Sequence, residues 1–185
     1  HDAARLFLDR AVRSRPDFVL TAENSPSVGR ICRRLEGIPL ALELAAARAR
    51  ALELDEIAAR LDDNLGLLGQ AGGGRPAHHR TIAACIDWSY GLLAPAEQAL
   101  FRRLSVFSGG WSLPAAERVC ADSPGALGRI GGEAVHDLLE RLVDHSLVRF
   151  QPAGARDAGP DEPPPAGHPY TMLEMIRRFA AGMLA

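Results

Sequence analysis

The chain has 185 residues, enough for one large domain or two small ones, and its 47% hydrophobic and 24% charged residues exclude a chain that is disordered throughout. A formal net charge of -2 gives no global attraction to nucleic acid or to an anionic membrane. All 21 basic side chains are arginines, so neither a phosphate-binding loop ending in Lys-Ser/Thr nor a Schiff-base lysine can be built here.

From Asp2 to Arg13 the apolar residues Ala4, Leu6, Phe7, Ala11 and Val12 recur at helical spacing. Arg15-Pro16-Asp17 ends that helix, and Phe18-Val19-Leu20 is an apolar connector. Asn24-Ser25-Pro26 sets a capping side chain before a first-turn proline, and a second helix runs to Glu36 with Val28, Ile31, Cys32 and Leu35 on one stripe. Gly37 then suits the left-handed backbone of a helix end, and Pro39 suits a first helical position, where the missing N–H costs nothing. The apolar neighbours on both sides predict a rigid, buried corner. The third helix, Pro39 to about Arg50, is apolar nearly all round, and a fourth begins at Leu54 with Ile57 and Leu61 inward.

Gly69 to Pro76 is a glycine-rich break, and without lysine or a preceding strand it reads as a linker rather than a phosphate cradle. Beyond it, Arg80 to Leu92 is helical, Pro95 and Glu97 open another helix, Ser105-Val106-Phe107 reads as extended, and Pro114 opens a short helix ending near Cys120. A longer helix from about Gly132 to His145 buries Val135, Leu138, Leu139, Leu142 and Val143. Leu147 to Phe150 and Tyr170 to Met172 form a strand pair, joined by a Pro/Gly/Ala-rich segment, and Leu173 to Leu184 is the last helix. The expected fold class is mainly α: a helical bundle subdomain over residues 1–70, a Gly-rich linker over 71–79, and a winged helix-turn-helix over 80–185. Its wing is a small β-hairpin, with composition favouring disorder in the wing loop 151–168.

These residues resemble the signal-transduction ATPases with numerous domains, of the NB-ARC type, and among them bacterial transcriptional regulators of the AfsR and LuxR kind. Gly37-Ile38-Pro39-Leu40-Ala41-Leu42-Glu43-Leu44-Ala45 is similar to their GLPL motif. Arg80-Thr81-Ile82, Asp87-Trp88-Ser89-Tyr90, Pro95 to Phe107 and Leu142 to Val148 are similar to successive parts of their winged-helix domain, in the same order. The resemblance implies a regulatory fragment of an ATP/ADP-switched regulator whose P-loop domain lies upstream and is the chief partner, with self-association on activation possible in such proteins. It also implies that Pro39 faces the adenine, with Gly37 and Leu40 shaping the turn. Many relatives place a phosphate-sensing histidine in a Met-His-Asp motif, where this chain reads Met172-Leu173-Glu174. Leu173 lacks that donor, so either ADP is held without it or a group such as Arg80 replaces it.

Other site chemistry is sparse. The adjacent His78-His79 lack the spacing of a zinc site, His136-Asp137 has no completing histidine cluster, and no nucleophile–base or paired-carboxylate arrangement marks a catalytic centre; neither an enzyme nor a metal is expected of the chain itself. The recognition-position helix with its lead-in, Arg129 to His145, has two arginines against Glu133, Asp137, Glu140 and Asp144, which opposes contact with DNA phosphates. A DNA-binding winged helix and a helical protein-interaction scaffold remain the alternative readings. Cys32, Cys85 and Cys120 read as buried thiols of a reducing compartment, and with no secretory signal or apolar run of about 18 residues the expected location is the cytoplasm.

Overall fold

The computed structural model describes residues 2–71, 77–122, 130–151 and 168–184. They are mainly helical with one small antiparallel sheet, as the sequence implies, and they divide into two compact units, His1–Gly91 and Leu92–Ala185. The glycine-rich stretch 72–76 and the wing loop 152–167 lie outside the described residues.

The first unit contains α1 (Asp2–Ser14), α2 (Ser25–Arg34), α3 (Pro39–Ala46) running into a 3-10 turn (Ala47–Arg50), α4 (Leu54–Ala71) and α5 (Ala77–Gly91). Helix α1 lays Phe7 and Ala11 on α3, whose Ala41, Leu42, Leu44 and Ala45 are all buried. Helix α2 packs Val28, Ile31 and Leu35 on α4, which buries Ile57, Ala58 and Leu61. The two are also tied at their polar edges. Ser27 donates to the Asp55 carboxylate, and Asp62 takes Arg30 Nη2 at 2.7 Å and Arg34 Nε at 2.9 Å. Helix α5, whose sequence neighbours suggest a place in the second region, packs on α3 and α4 through a face that buries Ile82, Cys85 and Ile86.

Several local expectations change. Asn24 makes no side-chain cap to α2; its Oδ1 accepts from the Thr21 N–H at 2.8 Å and its Nδ2 donates to the Val19 carbonyl, so the side chain closes the turn before the helix instead. Helix α3 tightens to 3-10 geometry after Ala46, and within that turn Arg48 is buried, its guanidinium pushed down to about 10 by desolvation. Helix α4 extends ten residues beyond Leu61, through Gly66 and Gly69, because propagation adds one hydrogen bond for each residue fixed.

The second unit contains α6 (Pro95–Leu104), α7 (Leu113–Cys120), α8 (Gly132–Asp144), β1 (Arg149–Phe150), β2 (Tyr170–Thr171) and α9 (Glu174–Gly182). Helices α6, α7 and α8 pack mutually around Leu100, Phe101, Leu104, Ala116, Val135, Leu139 and Leu142, and α9 covers α6 with Ile176 and Ala180. β1 pairs antiparallel with β2, Arg149 opposite Thr171 and Phe150 opposite Tyr170. The segment 105–107 is a series of tight turns rather than extended chain, held partly by Ser105 Oγ donating to the Arg102 carbonyl at 2.6 Å. The extended piece follows it: Trp111 bridges to Tyr170 through paired backbone bonds of 2.9 and 3.2 Å. A three-helix core with a hairpin and a bridging third segment is a winged-helix arrangement.

Candidate functional site

The corner between α2 and α3 is built from two consecutive left-handed residues. Helix α2 ends at Arg34, and Glu36 and Gly37 follow with φ of 54° and 68°. The Gly37 N–H reaches the Cys32 carbonyl and the Glu36 N–H the Arg33 carbonyl, both at 3.1 Å, which is the Schellman closure of a helix. Glu36, not the glycine, therefore occupies the position that glycine usually takes. Gly37 is needed for its dihedral rather than for space, since an added Cβ would meet only Ala3 Cβ at 3.7 Å. Helix α8 ends in the same way, with Ser146 at φ 57° and the Leu147 N–H reaching the Leu142 carbonyl at 3.0 Å.

Ile38 returns to extended geometry, and Pro39 then takes the first helical position of α3. The expected burial of this corner holds for Leu35, Ala41 and Leu42 beneath it, while Pro39 itself is exposed and Gly37 and Leu40 are half-buried. The proline ring thus stands at the surface on a backbone fixed from both sides. On α5, Thr81 Oγ1 donates to Glu36 Oε1 at 3.4 Å, and its neighbour Arg80 is half-buried and engaged within the structure.

In the second unit Leu173 is half-buried at the N-cap of α9, with φ -61° and ψ 141°, and its carbonyl accepts from the Arg177 N–H at 2.9 Å. The next residue, Glu174, accepts from Arg177 at 2.8 and 2.9 Å and from Arg178 at 2.7 Å. Those hydrogen bonds, from Arg177 first and Arg178 second, pull its carboxyl down to about 2.

The exposed face of α8 carries Glu133, Asp137, Glu140 and Asp144, with His136 and Arg141. Arg141 is engaged by Glu97 at 3.2 Å, so the face is strongly acidic. His136, Asp137 and Glu140 bring ligand-type atoms within 4.8 Å of one another, all exposed on adjacent turns of one helix, where such groups gather without an ion. His78 and His79 are exposed and meet edge to face with ring centroids 4.4 Å apart. A surface groove of about 220 Å³ lies elsewhere in the first unit, lined by Arg15, Asp17, Val19, Asn24, Leu52 and Glu53 among others, with Arg15 ion-paired to Glu53 at 3.3 Å and Asp17 at 3.5 Å. None of Gly37, Pro39, Leu40 or Arg80 lines it. The cysteines are free; burial pushes Cys85 up to about 12 and Cys120 up to about 11. Among the described residues no helix is long and apolar enough to cross a membrane.

The chain is similar over almost its whole length to mycobacterial proteins. It is 45% identical over 181 residues to the Mycobacterium tuberculosis protein named "Putative HTH-type transcriptional regulator Rv0890c", and equally to its Mycobacterium bovis counterpart Mb0914c, covering 97% of this chain. It is 38% identical over 177 residues to "Uncharacterized protein Rv0894" of Mycobacterium tuberculosis, covering 85% of this chain. The chain spans only 18% of the length of the first two relatives and 45% of the third. No protein-family model matches it.

Proposed function

We propose that this chain is the regulatory portion of a nucleotide-switched transcriptional regulator, in which the α2–α3 corner forms the adenine-facing wall of an ATP/ADP pocket completed by a P-loop domain of the same protein. The observation that carries this reading is Pro39: an apolar ring exposed at the surface, on a corner whose backbone is fixed by the closure of α2 and the start of α3. A flat apolar surface that does not move on binding is what a purine ring packs against at low entropic cost. Gly37 supplies the left-handed backbone that sets Pro39 in place, and the half-buried Leu40 extends the surface. The names of the mycobacterial relatives support the transcriptional half of the reading.

The phosphates belong to the P-loop domain in this scheme. Leu173 supplies no side-chain donor to them, and Arg80 is the guanidinium proposed to contact them. The chain alone does not hydrolyse ATP, because it has no lysine to bind the β- and γ-phosphates. Its winged helix transmits nucleotide state by packing against other domains rather than by reading DNA, since the acidic exposed face of α8 repels phosphates.

Nucleotide titration of the whole protein tests the proposal. Pro39→Ala should weaken ATP and ADP binding about five- to tenfold, a loss of about 1–1.4 kcal/mol. Unchanged affinity would overturn the assignment of the corner. Salt-dependent binding of duplex DNA by the 185-residue chain would instead favour the winged helix as a DNA reader.

A further inference from the structure

Glu36 is in a conformation that ordinary side chains avoid. Left-handed backbone costs a residue with a Cβ roughly 1–2 kcal/mol, and such strain persists only where the surroundings over-determine it. For closing α2 alone, glycine at this position would serve better. What the glutamate adds is a carboxylate that crosses from the end of α2 to Thr81 in α5, 45 residues away in sequence. Thr81 is buried and Glu36 is exposed, so the contact is a strut from the surface corner into the packed face of α5. Because Glu36 lies three residues before Pro39 in a turn with no slack, displacing one displaces the other.

We propose that Glu36 is a positioning residue that latches the α2–α3 corner to α5, so that occupation of the Pro39 face and the order of α5 depend on one another. The inference rests on the adenine-wall reading of Pro39 and assigns its outlet: α5, which packs on α3 and α4 and is the last helix of the first unit. A ligand resting on Pro39 holds the corner still, the carboxylate holds Thr81, and the start of α5 frays less. By linkage, loosening α5 weakens the ligand by the same factor.

Hydrogen exchange of α5 amides in the whole protein, with and without ADP, tests the latch on Glu36→Gly, Glu36→Gln and Thr81→Val. In the unsubstituted protein ADP should slow exchange of the first turns of α5 severalfold. Glu36→Gly and Thr81→Val should lose that slowing and bind ADP about three- to fivefold more weakly, while Glu36→Gln, which keeps an acceptor, retains both. Glu36→Gly should also raise the thermal midpoint, because the strain is relieved; a residue with only a structural role would move stability and affinity in the same direction. Wild-type ADP protection of α5 in both Glu36→Gly and Thr81→Val would overturn the latch and leave the adenine wall standing. Failure of the unsubstituted protein to bind ADP would overturn the adenine wall and the latch with it.

Discussion

Glu97 and Arg141 join the first and third helices of the second unit: Glu97 Oε1 accepts from Arg141 Nη1 at 3.2 Å while its Oε2 accepts from the Ala94 N–H at 2.8 Å. One carboxylate thus closes the start of α6 and holds α8 against it, and it does so almost fully buried. Ala94 has no side-chain acceptor to return the bond, so this is the glutamate half of a capping box standing alone. Glu97→Ala should destabilise the protein by about 1–2 kcal/mol, because the Ala94 N–H at the start of α6 loses its cap and the buried link to Arg141 is lost. Arg141→Ala should cost less than about 1 kcal/mol, since that guanidinium is mostly in solvent. Denaturant titration of the two variants checks the order, and an Arg141 effect equal to that of Glu97 would refute it.

Acid stability should report Glu174. Its carboxyl sits near 2 in the folded protein against an ordinary value of 4.5, so the folded state binds its proton more weakly than the unfolded state does. The stabilising contribution is therefore complete above about 4.5 and is lost as pH falls towards about 2. Thermal midpoints of wild type and Glu174→Gln should differ at neutral pH and converge across that window. A gap that stays constant down to pH 2 would show that Arg177 and Arg178 do not hold the carboxylate.

Gly110 should tolerate no side chain. A Cβ there would lie 2.9 Å from His168 Cβ and 3.1 Å from the Tyr170 carbonyl oxygen, the same oxygen that receives the Trp111 N–H. Gly110→Ala must push the bridge apart and should cost about 1–3 kcal/mol. Trp111 stacks on Phe107 with ring centroids at 5.3 Å, so its near-ultraviolet dichroism should weaken alongside the loss of stability.

Thiol reactivity should separate the cysteines. Cys32 is half-buried, with its thiol pushed up by desolvation but drawn back by the Arg33 charge, whereas Cys85 and Cys120 are buried and pushed up to about 12 and about 11. In the native protein at pH 8 a thiol reagent should modify Cys32 alone, and the other two only after denaturation. Fast native labelling of Cys85 would mean that α5 opens readily.

The helices were legible in the sequence because their signals are local: apolar stripes in α2, α6 and α8, and prolines at or near the first position of α2, α3, α6 and α7. What lay hidden depends on residues far apart in the chain. Trp111 pairs with Tyr170, 59 positions later, and nothing around Trp111 marks it as strand. Glu36 and Ser146 take left-handed backbone without being glycine, because the Schellman bonds around them decide the dihedral. Arg48 is buried within the 3-10 turn that follows α3, which no charge pattern announces. At the candidate site the sequence marks Gly37, Pro39 and Leu40 by their type and order. The exposure of the proline and the strut from Glu36 to Thr81 are visible only in three dimensions.

Asp122 meets Ile130 through two bonds of 2.9 Å, one to its carboxylate and one from its own backbone N–H, and Arg103 pins the same carboxylate at 2.8 Å. Asp122 and Ile130 are thereby tied to each other, and Asp122 to α6 through Arg103. Because Asp122 and Ile130 close the loop themselves, each doubling of the chain length between them should cost only about 0.6 kcal/mol in closure entropy. A reporter peptide or an affinity handle spliced between Asp122 and Ile130 would ride on a base that has already been closed, which makes this the natural port for engineering the protein.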